Sequence, residues 1–498
     1  MADRGGNVLF VTLDQLRADV VEGRLAGIAP TPALDRLLRE GTWFPQCWTA
    51  AVPCGPSRAS LLTGLHAFNH RSIRNGTPLA RHHATLGTEL RKLGREPLLF
   101  GYNDIAPDPT GRDLSDPDFR TYELPAAGFR EIAELRFEAP MAWIGHLRAR
   151  GYDVPSPMPE RLWELFLPRA EGRAPRPDDP LMIRAEDAES AWLADRALEA
   201  LDARRDHPWV AHVAFIRPHP PLTAPAPFNR LVRPADVPPP APAPAVEHPF
   251  RRAWFSDRAH HGLWIGFDGD CAGMDAETAA VLRAVYLGLV AEVDAALGRL
   301  LDWLDTTGQA ERTLVVVMSD HGEMLGDQGY WGKDNVLAPA HRVPLLIRDP
   351  RAPGRRETAE VVSSVDVTPT ILDWLGAEVP PAMDGVSLVA GRDGPRQGLA
   401  LTEIDFAEPH RETRFQRAWR LPETACNAAV LRDARWTLVH FNGGLPPMLF
   451  DRAEDPDETR DLAPDPAAAG EVARLRAAML DLRMSRADRR LTGFSFGV

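Results

Sequence analysis

The chain has 498 residues, of which 44% are hydrophobic and 26% charged, with a net charge of −13 at neutral pH. This length allows a large core and exceeds one small domain. The negative charge argues against a nucleic-acid-binding surface, which needs a basic footprint. A small anionic substrate is still allowed, because its site needs only a few local cations.

The cysteines and the N-terminal residues predict the cellular compartment of the protein. Cys47, Cys54, Cys271 and Cys426 are scattered without metal-type spacing, which is typical of a reducing compartment. The chain passes directly into a strand-like run, without the longer apolar stretch of a secretory signal. No apolar run approaches the roughly 20 residues of a membrane span. We therefore expect a cytoplasmic protein that does not enter the membrane.

Short apolar runs alternate with helix-like segments along most of the chain. The predicted strands are residues 8–13, 97–100, 210–216, 314–318 and 344–347. The predicted helices are residues 32–40, 85–93, 185–203 and 276–303. This alternation predicts an α/β fold with a large, mostly parallel sheet sandwiched by helices.

Other segments depart from this alternation. Residues 107–179 are rich in Pro, Arg, Glu and aromatic residues, and are interpreted as an insertion near the functional site predicted below. Residues 233–249 are dominated by Pro and Ala and predict an extended surface connection. We expect a catalytic domain over residues 1–385 and a smaller C-terminal α+β subdomain over residues 386–498. The predicted elements of that subdomain are an antiparallel sheet of strands 399–402, 428–431, 436–441 and 448–450 and a helix, 469–482.

Polar residues follow three of the predicted strands. Asp14 and Gln15 follow the first strand, Asp320 and His321 follow the fourth, and His219 lies just past the third. In parallel α/β sheets, ligands bind beyond the carboxyl ends of the strands. Oxygen ligands with one imidazole suit Ca2+, Mg2+ or Mn2+, and the ring nitrogen favours Mn2+ over Ca2+. The alternative for any single Asp is a helix N-cap or a turn.

Cys54 opens the run Cys-Gly-Pro-Ser-Arg, which ends at Arg58. Residues 57–63 read as the start of a helix, so positions 54 and 58 can both face the site. Arg58 could then stabilise an alkoxide or a transferred oxyanion. Lys333, on a Gly-rich loop, could hold a nonbridging oxygen, and His219 could protonate a leaving group or bind an oxygen. The alternatives are a buried cysteine before a proline turn, and an ordinary surface or core Lys and His.

The chain resembles the sulfatase and phosphonate monoester hydrolase branch of the alkaline phosphatase superfamily over nearly its whole length. Residues 54–64 match the full sulfatase signature, Cys-x-Pro-Ser-Arg-x-x-x-x-Thr-Gly. The other stretches that resemble family motifs are residues 7–19, 31–37, 286–300, 319–333, 342–347, 369–372, 384–388 and 449–458.

The resemblance implies that Cys54 is oxidised to formylglycine by a maturation enzyme and becomes the nucleophile, assisted by Arg58. It implies one divalent metal ion, Mn2+ or Ca2+, held by Asp14, Gln15, Asp320, His321 and the modified residue 54. It implies that His219 and Lys333 contact the substrate or leaving group, and it makes a homo-oligomer plausible.

The aldehyde also resolves a chemical mismatch, because a thiolate prefers softer metal ions than these. The hydrated aldehyde offers two hydroxyls. One can lose its proton and attack sulfur or phosphorus, and the other can later expel the bound ester.

Departures from the family pattern refine the subclass. Many arylsulfatases have Gly-Lys-x-His where this chain has residues 101–104, Gly-Tyr-Asn-Asp, and many sulfatases have a second Asp at Gln15. At these positions and at Asn75, the chain resembles phosphonate monoester hydrolases more closely. The resemblance implies that Tyr102 and Asn75 line the substrate site.

Asp104 stands close to where phosphonate hydrolases often have threonine. Its carboxylate could disfavour dianionic substrates or bind a cationic substrate group. Alternatively, it is a turn residue that points away from the site.

The sequence thus predicts a metal-dependent hydrolase of phosphonate monoesters, phosphodiesters and sulfate monoesters, promiscuous among these small anionic esters. One alternative is a specialised aryl or alkyl sulfatase. Another is a non-catalytic metal- or anion-binding relative that keeps an unmodified Cys54. Relative activity on aryl sulfate and aryl phosphonate esters separates the first two, and the intact mass of the protein tests the third.

Overall fold

Residues 5–257, 262–267, 269–389 and 398–488 are described by the computed structural model. The strands are β1 (Asn7–Leu13), β2 (Thr42–Trp43), β3 (Cys47–Trp48), β4 (Ala51–Val52), β5 (Pro97–Gly101), β6 (Arg130–Glu134), β7 (Val210–Phe215), β8 (Thr313–Met318), β9 (Leu345–Arg348), β10 (Arg356–Glu357), β11 (Val362–Ser363), β12 (Ala400–Asp405), β13 (Asn427–Arg432), β14 (Trp436–Phe441) and β15 (Met448–Asp451).

The helices lie between and after these strands. They are α1 (Pro32–Glu40), α2 (Cys54–Thr63), α3 (Ala67–His70), α4 (Leu86–Lys92), α5 (Met141–Ala149), α6 (Glu189–Asp202), α7 (Pro249–Trp254), α8 (Ala276–Thr306), α9 (Ala338–His341), α10 (Val367–Trp374), α11 (Arg414–Trp419) and α12 (Ala469–Arg486).

The main sheet has eight strands in the order β10-β2-β9-β8-β1-β7-β5-β6. The five neighbours β8, β1, β7, β5 and β6 are parallel, and β9 runs antiparallel to both β8 and β2. The predicted α/β class and its five apolar strands are confirmed.

Helices cover both faces of this sheet, as the continuous apolar strands require. Leu9 and Val11 of β1 pack with apolar side chains of α1, α6 and α8. Val8 and Phe10 point to the other face and pack with side chains of α2, α4 and α10. Because successive side chains of a strand point to opposite faces, one strand contributes to two cores.

The C-terminal region forms the expected smaller sheet, in the order β15-β14-β13-β12-β4. Strands β12 to β15 pair antiparallel, and Leu475 and Met479 of α12 pack against Leu431 and Leu438 of the sheet. The fifth strand, β4, comes from the N-terminal region and pairs parallel with β12. It lies immediately before α2 in the chain.

Two details differ from the expectation. The segment 107–179 contributes β6 to the edge of the main sheet, where it pairs parallel with β5. The apolar pattern did not reveal β6, because its sequence is Arg-Glu-Ile-Ala-Glu and only one of its residues is buried. The helix expected from residue 185 begins at Glu189, after a 3-10 turn.

In the described part of the chain, no helix is long and apolar enough to cross a membrane.

Candidate active site

Four neighbouring parallel strands end at the edge of the sheet where the predicted site residues lie. Asp14 follows β1, Asp320 follows β8 after one residue, Tyr102 follows β5, and His219 lies past the end of β7. Gly101 closes β5 at φ +99°, and a Cβ there would lie 2.2 Å from the carbonyl oxygen of Ala214. Glycine therefore lets β5 approach β7 closely just before Tyr102.

The structure brings together four side chains of metal-ligand type. One ligand atom each from Asp14, Cys54, Asp320 and His321 lie within 4.8 Å of one another, and all four residues are buried. Sγ of Cys54 lies 3.2 Å from Nε2 of His321. Oδ1 of Asp14 is buried and has no hydrogen-bond partner among the described residues. A buried, unpaired carboxylate oxygen beside an imidazole and a second carboxylate fits a divalent cation.

Neighbouring backbone groups orient these ligands. Nδ1 of His321 lies 3.1 Å from the carbonyl oxygen of Gly322, which leaves Nε2 to face Asp14 at 3.7 Å. Oδ1 of Asp320 accepts from the backbone N–H groups of Gln15 at 3.1 Å and His321 at 2.9 Å. Such outer contacts fix the ring and the carboxylate in the orientation that a metal ligand needs.

Gln15 occupies the left-handed region at φ 67°, which is sparsely populated for a side-chain-bearing residue. Its amide nitrogen donates to Oε2 of Glu323, and its Oε1 accepts from Lys333 at 3.0 Å. Oε1 of Glu323 accepts from the backbone N–H groups of Leu325 and Gly332. Sequence reasoning missed this role of Glu323, although the residue lies inside the quoted motif of residues 319–333.

Arg58 projects from the first turns of α2 and bridges two of the carboxylates. Its Nε donates to Oδ2 of Asp320 and its Nη2 to Oδ2 of Asp14, both at 2.9 Å. Its Nη1 donates to the carbonyl oxygen of Tyr102 at 2.9 Å. The guanidinium is fully buried and lies 3.9 Å from the centre of the Tyr102 ring. Three of its five N–H groups are therefore committed to holding the site together.

Lys333 and His219 form a pair at the same edge. Nζ of Lys333 lies 2.8 Å from Nε2 of His219, while Nδ1 of His219 lies 2.7 Å from the carbonyl oxygen of Pro220. Burial and the Lys333 ammonium hold the pKa of His219 well below its ordinary value. Burial and the Asp14 carboxylate raise the pKa of the Cys54 thiol, whereas Lys333 lowers it.

The three expected substrate-site residues lie beside Cys54. Oδ1 of Asn75 accepts from the backbone N–H of Gly55 at 2.9 Å, next to Cys54. The hydroxyl of Tyr102 donates to Oδ2 of Asp14. Asp104 is only 4% exposed, at φ 60°, with its Oδ1 unpaired among the described residues. Position 104 thus lies in a buried loop.

A sequence model of the sulfatase family matches residues 6–377, and a second model, the C-terminal region of N-sulphoglucosamine sulphohydrolase, matches residues 326–485. The first match covers most of the chain. This chain belongs to the sulfatase family. The family fold, in which a large parallel sheet is joined to a small antiparallel one, is the one described above.

Curated relatives of this sulfatase-family protein span its whole length. A multifunctional alkaline phosphatase superfamily protein of Trinickia caryophylli is 37% identical over 98% of this chain and 97% of the relative. A choline-sulfatase of Rhizobium meliloti is 28% identical over 97% of this chain and 87% of the relative.

Solved structures extend the likeness. A phosphonate monoester hydrolase of Silicibacter pomeroyi aligns with a TM-score of 0.92 and 42% identity, covering 99% of this chain and 98% of the other. The phosphonate monoester hydrolase of Agrobacterium radiobacter aligns with a TM-score of 0.89 and 35% identity, covering 98% and 97%. The sulfatase-family protein described here is therefore a hydrolase acting on ester bonds.

Proposed function

We propose that the protein hydrolyses phosphonate monoesters and phosphodiesters, and more slowly sulfate monoesters, with a formylglycine nucleophile derived from Cys54. The observation that carries this proposal is the convergence of Asp14, Asp320 and His321 on Cys54 at the start of α2. The full-length likeness to two phosphonate monoester hydrolases supports the choice of substrate. The likeness to a choline-sulfatase is more distant and favours sulfate esters as the second class.

The residues that would hold one divalent metal ion, Mn2+ or Ca2+, are Asp14, Gln15, Asp320, His321 and the modified residue 54. The unpaired Oδ1 of Asp14 and the oriented Nε2 of His321 support this assignment. A cation bound there would lower the pKa of an attached hydroxyl and neutralise charge that develops on the substrate.

The protein's own side chains would do the rest. Arg58 keeps Asp14 and Asp320 apart and aligned, and its two remaining N–H groups can bind an anionic oxygen. Lys333 donates a hydrogen bond to His219, and this proton can pass through the imidazole to the oxygen of the departing alcohol. Asn75, Tyr102 and Asp104 line the side of the site beside Gly55.

Four further proposals follow from the same reasoning. A formylglycine-generating enzyme would act on Cys54, and the few, scattered cysteines, Cys47, Cys54, Cys271 and Cys426, support a cytoplasmic location. Residues 1–385 would form the catalytic domain and residues 386–498 the smaller subdomain. The 107–179 segment and the C-terminal region would provide the contacts of a homo-oligomer.

The test is a substrate panel on protein whose Cys54 state is known from its intact mass. We expect kcat/KM to be higher for p-nitrophenyl phenylphosphonate and bis-p-nitrophenyl phosphate than for p-nitrophenyl sulfate. The reverse order would favour the specialised sulfatase. An unmodified thiol in protein from the native host, with no turnover of any ester, would favour a non-catalytic binding protein.

A further inference from the structure

Gln15 differs from the carboxylates of the proposed metal site, because the two ends of its side-chain amide are not alike. An amide binds a hard cation through its oxygen, whereas its nitrogen carries two hydrogens and acts as a donor. Asp14 and Asp320 do not face this choice, since both oxygens of a carboxylate can bind a cation. The contacts that orient the Gln15 amide therefore decide whether this residue can hold a metal ion.

The backbone of Gln15 is held at both of its polar groups. Its N–H donates to Oδ1 of Asp320 at 3.1 Å, and its carbonyl oxygen accepts from the hydroxyl of Tyr286 at 2.8 Å. Gln15 and Tyr286 are both almost fully buried. With the backbone fixed in this way, a half-turn of the terminal amide group exchanges the positions of its oxygen and its nitrogen.

The two ends of the amide have partners of opposite kinds. Nζ of Lys333 lies 3.0 Å from Oε1 of Gln15, and an ammonium group only donates, so this end is assigned as the oxygen. Nε2 of Gln15 donates to Oε2 of Glu323, and a carboxylate only accepts. Glu323 is 1% exposed, so bulk water does not compete for this bond. Nε2 is thus committed to Glu323, and Oε1 is the end that remains for a cation.

The second oxygen of Glu323 shows why a carboxylate is needed at this position. Oε1 of Glu323 accepts from the backbone N–H of Leu325 at 2.8 Å and from that of Gly332. Donors therefore meet both ends of the side chain, and a carboxylate accepts at both ends. Glutamine has nearly the same shape, but only one of its two ends accepts.

Glutamine at position 323 would bring two donors into contact. Its oxygen would accept from Leu325 and Gly332, which preserves that turn, and its NH2 group would then face the NH2 group of Gln15. A half-turn of the Gln15 amide relieves this contact, but it directs the Gln15 nitrogen at the Lys333 ammonium. Either arrangement leaves a buried donor without an acceptor, which is costly. The second arrangement also offers nitrogen where a cation needs oxygen.

We propose that Glu323 is a positioning residue for the metal site, because it holds the Gln15 amide with the oxygen available to the cation. This proposal rests on the assignment of Gln15 as a metal ligand in the proposed function. Glu323 acts through Gln15, so its effect belongs to metal affinity and not to turnover alone. Removal of an outer partner of this kind typically lowers metal affinity about 10- to 100-fold.

The experiment measures the affinity for Mn2+ in four proteins: the wild type, Glu323→Gln, Gln15→Glu, and the double variant that carries both changes. MnCl2 is titrated calorimetrically into metal-free protein of matched formylglycine content, with thermal unfolding as a check of folding. We expect Glu323→Gln to weaken Mn2+ binding about 10- to 100-fold when residue 15 is glutamine. The buried Glu292→Gln is the matched control and should bind Mn2+ as tightly as the wild type.

The same change should cost much less when position 15 carries a carboxylate. A glutamine at position 323 can donate to one oxygen of that carboxylate, and the other oxygen stays available to Lys333 and the cation. The loss of one negative charge near the cation is common to both backgrounds, so the difference between the two penalties isolates the orientation of the amide.

Three outcomes would contradict the proposal. Equal penalties in the two backgrounds would mean that Glu323 acts only through its charge or as an anchor of the turn, and would overturn this inference alone. Equal Mn2+ affinity of Glu323→Gln and the wild type would do the same. A wild type that binds no Mn2+ would overturn the proposed metal site as well.

Discussion

Nζ of Lys333 lies 2.8 Å from Nε2 of His219, and Nδ1 of the same ring lies 2.7 Å from the carbonyl oxygen of Pro220. Since a carbonyl only accepts, Nδ1 is assigned the ring hydrogen, and Nε2 accepts from the ammonium. The depressed pKa of His219, caused by burial and then by Lys333, agrees with a neutral ring. The pair thus holds its transferable proton on Lys333, in contact with the imidazole.

If the Lys333 proton reaches the leaving oxygen through Nε2 of His219, removal of this imidazole should affect poor leaving groups most. A proton donor matters little when the departing phenolate is already stable, and much when an alkoxide departs. We expect His219→Ala to lower kcat/KM about 100-fold for alkyl esters and less than about tenfold for nitrophenyl esters. The variants must have matched formylglycine content, and the exposed His207→Ala serves as control. Equal losses on both classes would mean that His219 only positions a substrate oxygen.

Cys54→Ala should abolish turnover and leave the fold intact, because the residue starts α2 and its small side chain lies against His321. Cys54→Ser should also be nearly inactive if maturation requires a thiol. Circular dichroism and a thermal melt verify folding, and a nitrophenyl ester assay measures turnover. Cys426→Ala, at another buried free cysteine, should remain active. Full turnover by Cys54→Ala would show that residue 54 is not the nucleophile.

Chelation should remove activity, and Mn2+ or Ca2+ should restore it, since the ligand set is mostly oxygen. Asp320→Ala should mimic chelation by leaving the cation short of a carboxylate. Elemental analysis should find one divalent ion per active chain and much less in Asp320→Ala. The metal assignment would be wrong if fully active enzyme contained no stoichiometric divalent ion.

Glu292 on α8 should make stability depend on pH. Burial raises its pKa to about 7 from 4.5, against the lowering effect of Arg217. As the pH rises, Glu292 therefore loses its proton in the unfolded chain before it does so in the folded chain. The free energy of unfolding falls by about 3 kcal/mol as the pH rises from 4.5 to 7. Gln at this position can still accept from Ser190, whose hydroxyl lies 3.1 Å away.

The free energy of unfolding of Glu292→Gln should thus rise relative to that of the wild type from pH 4.5 to pH 7. The difference between the two proteins should stay constant above pH 7. Denaturant titrations at several pH values measure the difference. The exposed Glu311→Gln is the control and should show no such trend. A difference between Glu292→Gln and wild type that is constant from pH 4 to pH 8 would contradict the assignment.

Much of the site could be predicted because its residues follow strands with a strong apolar pattern. β1 and β8 are buried throughout, so the positions of Asp14 and Asp320 at the strand ends follow directly. The edge strand β6 was missed, since three of its five residues are charged and only Ala133 is buried. The left-handed turn at Gln15 and the bonds to Glu323 arise from contacts across the whole chain, which local patterns do not contain.

The side-chain pairings were equally beyond the sequence. Arg58 was expected to face the site, and the structure adds that it joins two carboxylates that follow different strands. Asp104 adopts the left-handed backbone that its residue type tolerates, yet it is buried. The carbonyl oxygen of Asp104 lies 3.3 Å from where a Cβ on Gly55 would stand, and this contact across the fold is absent from any local pattern.

The pairing of β4 with β12 has a consequence for how this gene can be divided. Glu403 and Ile404 of β12 are the register partners of Ala51 and Val52, two residues from Cys54. A fragment that stops before β12 would leave β4, the strand leading into Cys54, without its neighbour. Exchanging about the last hundred codons with those of a relative should therefore alter catalysis. The N-terminal portion that encodes β4 and the C-terminal portion that encodes β12 should be inherited together.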